Sequence, residues 1–313
     1  MKKYAFGADV GGTTVKMGLF ETSGNLLETW EIPTVTDNQG ASILPDISRT
    51  ISEKMTEKDI SPDEVEGIGM GVPGPVGSDG TVYKCVNLGW GVINVEQILS
   101  ELTGLRVKAG NDANVAAMGE MWQGGGKGFR DVVMVTLGTG VGGGVIVDGK
   151  IVSGFNGAGG ELGHIPTRDD ETETCGCGKK GCLEQYASAN GFTRITKLYL
   201  EENPEVSSVL RDADELNSKV IFDAAKEGDS AALHMVDEVG HILGKALATI
   251  SCVVDPEVFV LGGGMSKSGN ILTDSIEKYY KEYAFHASRN TQIRIATLGN
   301  LAGIYGGVGM LLS

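Results

Sequence analysis

The residues from Lys2 to Ile32 read as strand, glycine turn, strand, polar turn at Ser23-Gly24-Asn25, and a third strand. That pattern predicts a three-stranded meander. From Asp131 to Gly154 the same grammar returns, with a strand over 132–137, a glycine turn at 138–144, a strand over 144–147, the turn Asp148-Gly149 and a strand over 150–153. The two copies lie about 127 residues apart, so one β-hairpin device is used twice. Ile43, Ile47, Ile51 and Met55 keep the spacing of one helix face over 42–58. Val65 to Val72 reads as a strand ending in Gly71-Val72-Pro73-Gly74-Pro75. A short helix over 94–103, a strand over 105–109 and a helix over 112–123 follow. Further on, helices dominate 183–202 and 217–250, and Val258 to Leu261 is a buried strand running into Gly262-Gly263-Gly264. Residues 270–282 are helical, and a strand over 292–298 precedes a last helix over 302–312.

Strands interleaved with helices make the class α/β. A length of 313 residues is about twice that of a typical domain, so two lobes sharing one cleft are expected. We place a small lobe at 1–115, with residues 300–313 packing back on it, and a large lobe at 116–299. The 48 glycines cluster in turns within apolar runs, which suggests backbone brought close to a ligand. A net charge of −15 argues against a duplex-binding surface or an anionic membrane, but leaves a nucleotide open, since main-chain N–H groups, helix N-termini and Mg²⁺ can hold phosphates. No signal-peptide pattern follows Lys2-Lys3, and the longest apolar stretch, around 242–263, contains Lys245, Asp255 and Pro256. The cytoplasm is the expected compartment. Five cysteines, three of them within eight residues, fit a metal in a reduced compartment better than disulfides. Cys85 and Cys252, in apolar contexts, read as core thiols.

Gly138, Gly140 and Gly143 form a GxGxxG pattern, but a strand rather than a helix follows it, against a dinucleotide fingerprint. No Walker A Lys follows any glycine run, and no His-Arg-Asp or Asp-Phe-Gly triplet exists. What remains is a pair of glycine hairpins, Asp9 to Lys16 and Gly138 to Gly144, each offering main-chain N–H groups and a Thr hydroxyl to a polyphosphate. Either one alone is equally well a tight turn. The run Asp9-Val10-Gly11-Gly12-Thr13-Thr14-Val15-Lys16 is similar to the first phosphate motif of the sugar kinase, Hsp70 and actin superfamily. Leu137 to Gly144 resembles its second phosphate motif, and Val260 to Gly264 its adenosine motif. The resemblance implies two ribonuclease H-like, actin-like ATPase lobes with mixed sheets around a central cleft. It implies nucleotide contacts at Gly11, Gly12, Thr13, Thr14, Lys16, Gly138, Thr139, Gly140, Gly263 and Gly264, with Asp9 on the Mg²⁺ that accompanies ATP.

His164, Cys175, Cys177 and Cys182 supply four N/S donors within nineteen residues, with glycines that let the loop curl, as a closed structural Zn²⁺ site requires. A redox loop is the alternative. Such a clamp would bring Glu161 and Glu184 near one spot, where paired carboxylates accept hydrogen bonds from a polyol. Glu161-Leu162-Gly163-His164 together with Cys175 to Glu184 closely resembles the signature of the ROK family of sugar kinases and regulators. That resemblance implies that His164 both ligates zinc and faces the sugar, while Glu161 and Glu184 hold ring hydroxyls.

Asn111-Asp112-Ala113-Asn114 stands where a strand meets a helix and, taken alone, is more often an N-cap. The ROK resemblance makes it the sugar-holding run, with Asp112 taking the proton of the attacking hydroxyl and Asn87 and Gly74 also lining the pocket. It further implies ATP-dependent transfer to the 6-hydroxyl of glucose, giving glucose 6-phosphate, by a homodimer or homotetramer. N-acetylglucosamine, N-acetylmannosamine, mannose and fructose are alternative acceptors. The family's repressors carry an N-terminal helix-turn-helix for which Asp9 leaves no room.

Overall fold

The computed structural model describes residues 1–313. Its first elements are β1 (Tyr4–Val10), β2 (Thr14–Glu21), β3 (Leu26–Pro33), the turn α1 (Asp37–Gly40), α2 (Ile43–Glu57), β4 (Val65–Val72), β5 (Thr81–Val82), β6 (Ile93–Asn94) and α3 (Val95–Thr103). Then come β7 (Val107–Asn111), α4 (Asp112–Gln123), β8 (Val132–Leu137), β9 (Val141–Val147), β10 (Lys150–Ile151), α5 (Glu184–Ala187) and α6 (Ala189–Glu202). The chain ends with α7 (Ser218–Lys226), α8 (Ser230–Val254), β11 (Val258–Gly262), α9 (Asn270–Tyr283), β12 (Gln292–Ile295) and α10 (Ala302–Leu312).

Two five-stranded sheets carry the same strand order, β3-β2-β1-β4-β7 and β10-β9-β8-β11-β12. Each is a meander extended on its first strand by two later strands, so the repeat read in the glycine turns extends to whole sheets. Several bounds differ from the sequence pattern. The second glycine turn is short, because β9 begins at Val141 and takes Gly142 to Gly144 into the strand. Strand β7 runs to Asn111 because it pairs in parallel with β4, Val72 facing Asn111. Strand β12 stops at Ile295, where its pairing with β11 ends at Leu261.

The chain divides into two compact units: Met1–Val132 with Gly144–Gly160 and Thr297–Ser313, and Val133–Gly143 with Glu161–Ala296. In the first unit, Phe6, Ala8 and Val10 of β1 and Ile68, Met70 and Val72 of β4 join the apolar faces of α2 and α3 in one core. The intervening positions face α10, where Ala5 and Phe20 pack with Ile304, Val308 and Leu311. Two of these positions are Gly7 and Gly69, set against the main chain of Ile304 and Gly307. These glycines serve close packing of a helix on a sheet, not a ligand. A Cβ at position 69 would press into Gly307, and neither backbone can move independently. Gly69→Ala should therefore cost about 3 kcal/mol of overpacking, seen as a lower urea midpoint at unchanged m; an unchanged midpoint would refute the close approach.

In the second unit β11 is buried throughout Val258–Gly262. Helix α8 lies on α9, with Gly240 and Gly244 admitting Ser275 and Tyr279, and Phe192 of α6 meets Phe222 of α7 with ring centroids 5.0 Å apart. Cys85 is buried as expected, but Cys252 is exposed. The buried stripe of α8 ends with Ile250 and Ser251, and the next residues, Cys252 and Val253, turn off it. No helix is long and apolar enough to cross a membrane.

Candidate active site and metal centre

In the first unit, β1, β4 and β7 are parallel neighbours, with Asp9 opposite Gly71 and Gly71 opposite Gly110. Their C-terminal ends therefore carry Asp9, the Val72 to Pro75 turn and Asn111-Asp112 to one edge, where open α/β sheets hold ligands. Helix α4 starts there because Asn111 caps it, its side-chain oxygen accepting from the N–H groups of Ala113 (3.1 Å) and Asn114 (3.2 Å). The Asn111 amide donates to the carbonyl of Gly74 (3.2 Å) and to Asp112 Oδ1 (3.0 Å), and the Ala113 N–H donates to the same Oδ1 (2.8 Å). Asp112 itself is exposed, at the end of a helix whose dipole favours a negative charge. Gly74 has φ +95°, a conformation that favours glycine.

The turn after β1 is closed by the Gly11 N–H donating to Thr14 O (3.0 Å) and the Thr34 hydroxyl donating to Gly11 O (2.7 Å). Gly12 and Thr13 stay exposed at its tip, and a Cβ on Gly12 would lie 4.0 Å from Cβ of Asn87. Lys16 stands opposite Asp9 across the hairpin. Burial pushes the Asp9 carboxyl above the usual range, Lys16 pulls it down, and Asp112 pushes it up again. A cation beside Asp9 would relieve both the burial and the repulsion.

In the second unit, β8 is followed by Gly138-Thr139, and the Gly138 carbonyl accepts from the N–H of Ala189 (2.7 Å), the first residue of α6. Gly263, at φ +83°, lies against the main chain of Leu137, so the Gly138-Thr139 turn and the Gly263-Gly264 turn are neighbours. Thr139 lines a cavity of about 270 Å³ together with Glu184, Ser188, Asn190 and Arg194. The sequence reading missed Ser188, Asn190 and Arg194. Their signal was Ser188, whose side chain caps α6 by accepting from Gly191 N (2.9 Å).

The four zinc-type donors converge. His164, Cys175, Cys177 and Cys182 place their ligating atoms within 4.8 Å of one another. His164 Nδ1 is 3.8 Å from Cys175 Sγ, and Cys177 Sγ is 3.5 Å from Cys182 Sγ. A tetrahedron with metal–sulfur bonds of about 2.3 Å has edges of roughly 3.8 Å, so an N/S₃ set of this size fits zinc. Cys177 and Cys182 are free thiols, their sulfurs well beyond the ~2.05 Å of an S–S bond. Gly178 and Gly181, both at positive φ, turn the loop, and Cys182 bridges to Pro166. Burial, with the neighbouring Glu184 carboxylate, pushes the Cys175 thiol up to about 12, whereas the Lys179 N–H lowers that of exposed Cys177. A divalent cation is what would draw the protons off all three thiols.

The same loop gathers the two carboxylates. Glu184 Oε1 lies 3.7 Å from His164 Nδ1 and accepts from Cys175 Sγ at 2.9 Å, and Glu161 Oε2 lies 3.9 Å from His164 Nε2. Glu171 anchors the loop from behind. Its side chain accepts from Arg194 (2.6 Å), Tyr186 (2.7 Å) and the Glu173 N–H (3.0 Å). Burial would raise its pKa, but these donors outweigh burial and hold it at about 2 instead of 4.5. A depressed carboxylate stabilises fully above its unfolded value and loses that contribution as pH falls from 4.5 toward 2. Wild type should thus exceed Glu171→Gln in unfolding free energy by about 3 kcal/mol at neutral pH, shrinking below pH 4.5. Urea unfolding from pH 6 to pH 3 reads it, and a gap that stays constant refutes the anchor.

The chain is 41% identical over 310 residues to a glucokinase of Halalkalibacterium halodurans, covering 97% of this chain and 94% of that protein. It is 35% identical to a glucokinase of Streptomyces coelicolor over 96% of this chain and 95% of that one. Among solved structures it is similar to a ROK family glucokinase from Streptomyces griseus in complex with glucose and AMPPNP, with a TM-score of 0.72 at 33% identity, covering 97% and 98% of the two chains. The fold is that of the actin-like ATPases, as the sheet order and this neighbour agree. The ROK family model matches residues 5–312, and the chain belongs to the ROK family.

Proposed function

We propose that this chain is an ATP-dependent hexose kinase that transfers the γ-phosphoryl group of ATP to the 6-hydroxyl of glucose, giving glucose 6-phosphate and ADP. The observation that carries it is the 41% identity to a glucokinase over 97% of the chain. Asp112 is the proposed proton acceptor: it takes the proton of the sugar hydroxyl as that oxygen bonds to the γ-phosphorus, and the bond to the β–γ bridging oxygen breaks. Its place at a capped helix start supports an ionised carboxylate held in one orientation. Asn111, Gly74 and Asn87 are proposed sugar contacts, as are Glu161, His164 and Glu184, whose acceptors suit a neutral polyol.

The turns Gly11 to Thr14 with Lys16, Gly138 to Gly140, and Gly263-Gly264 are the proposed nucleotide contacts, each with main-chain N–H groups at a strand end. Asp9 would hold Mg²⁺, which when bound with ATP neutralises phosphate charge. His164, Cys175, Cys177 and Cys182 would hold zinc, which supplies rigidity to the loop. We place the enzyme in the cytoplasm as a homodimer or homotetramer, which light scattering checks directly.

ADP release should be measured with ATP, Mg²⁺ and a panel of glucose, mannose, fructose, N-acetylglucosamine and N-acetylmannosamine. Glucose should give the highest kcat/KM. A higher value for an N-acetylated sugar would move the substrate assignment, and no ADP with any sugar would remove the kinase assignment altogether.

A further inference from the structure

Glu120 lies in α4, eight residues beyond Asp112, and is fully buried. Its Oε2 accepts from the main-chain N–H groups of Gly125 (2.8 Å) and Thr297 (3.0 Å), and its Oε1 from that of Leu298 (2.8 Å). A buried glutamate is rare unless its oxygens are satisfied, and here main-chain donors satisfy both. Thr297 is where the chain re-enters the first unit, five residues before α10 begins. The carboxylate therefore ties the C-terminal turn of α4 to the segment that leads into α10.

Helix α10 is in turn seated on the groups proposed for catalysis. Gly306 meets the main chain of Val115, one turn into α4, and a Cβ at Gly303 would lie 2.5 Å from Asp9 Cγ. At Gly306 backbone meets backbone and at Gly303 the helix meets the Asp9 carboxylate itself, so a displaced α10 changes the surroundings of Asp9 and Asp112 together. We propose that Glu120 is a positioning residue for phosphoryl transfer, locking Thr297-Leu298 to α4 and so fixing α10 against Asp9 and against the helix that bears Asp112. This rests on the hexose-kinase reading.

Glu120→Gln keeps the volume but sets an amide NH₂ against at least one main-chain donor. The variant should fold, bind glucose within about threefold of wild type, and lose at least tenfold in kcat. Hydrogen exchange at Thr297 and Leu298 should accelerate with it. A merely structural role would lower the melting temperature and leave kcat of the folded enzyme within twofold, and that result overturns the proposal. If Glu120→Gln does not fold, Leu298→Pro serves, since φ −80° at Leu298 accepts the ring and the donor to Glu120 is deleted, with Leu298→Ala as the control for the lost half-buried side chain. The same loss of kcat without loss of glucose binding is expected, and an unchanged kcat overturns the assignment. An active wild type with an unaffected variant sinks this proposal alone, whereas a wild type inactive with every hexose sinks the kinase reading and this proposal with it.

Discussion

Turnover by Asp112→Asn should fall roughly 10²–10⁴-fold, the range a positioned proton acceptor supplies, while the dissociation constant for glucose changes less than about tenfold. The substitution leaves the local frame intact. An Asn side chain keeps an oxygen that can accept from the Ala113 N–H and the Asn111 amide, the two donors that now meet Asp112 Oδ1. The cap that starts α4 belongs to Asn111 and is untouched. What disappears is the negative charge and the basic oxygen. A second reading comes from Asp9, whose carboxyl is pushed up in part by Asp112. With that charge gone the Asp9 pKa should fall, which carboxylate NMR titration of the variant can follow. Turnover within tenfold of wild type in the folded variant would remove Asp112 from the proton-accepting role.

Much of the frame was legible because it is local. Helix α4 begins and ends where the pattern 112–123 puts it, since Asn111 is a cap and Gly124 to Gly126 are breakers. Strand β4 spans Val65–Val72 for the same reason, an apolar run bounded by Pro73-Gly74-Pro75. The zinc-type cluster was legible from ligand spacing alone, and its donors meet within 4.8 Å. What sequence could not carry was the meaning of the glycines. They read as ligand-approach positions, yet Gly7, Gly69, Gly303, Gly306 and Gly307 pack α10 against a sheet and a helix far away in the chain. Glu120 was invisible for the same reason. Its partner Thr297 is 177 residues distant, and nothing near either residue marks the pair. Ser188 caps α6 locally, but the placing of that start beside Thr139 likewise comes from a long-range bond, Ala189 N–H to Gly138 O.

Loss of the metal should have the other large effect, and Cys182→Ser is the variant to make. Cys182 is buried, bridges to Pro166, and sits two residues before Glu184, so it couples the metal cluster to the proposed sugar contacts. Hydroxyl is a far weaker zinc ligand than thiolate, so one zinc per chain should be lost, as elemental analysis would show. Without the ion, His164 and Glu184 are no longer held 3.7 Å apart, and the hydrogen bonds they and Glu161 offer a hexose lose their common geometry. Two charge-assisted bonds lost cost about 3 kcal/mol or more, a drop of at least ~10²-fold in glucose affinity by calorimetry. Main-chain exchange should rise across 161–188 while β11, buried throughout, stays protected. A chelator should bring wild type to the same state and add nothing to the variant. Cys252→Ser, at an exposed thiol outside the cluster, should leave metal content and affinity alone. Full glucose affinity in a zinc-free Cys182→Ser protein would mean that the loop holds its carboxylates without the ion, because Glu171 and its Arg194 and Tyr186 donors suffice to anchor it.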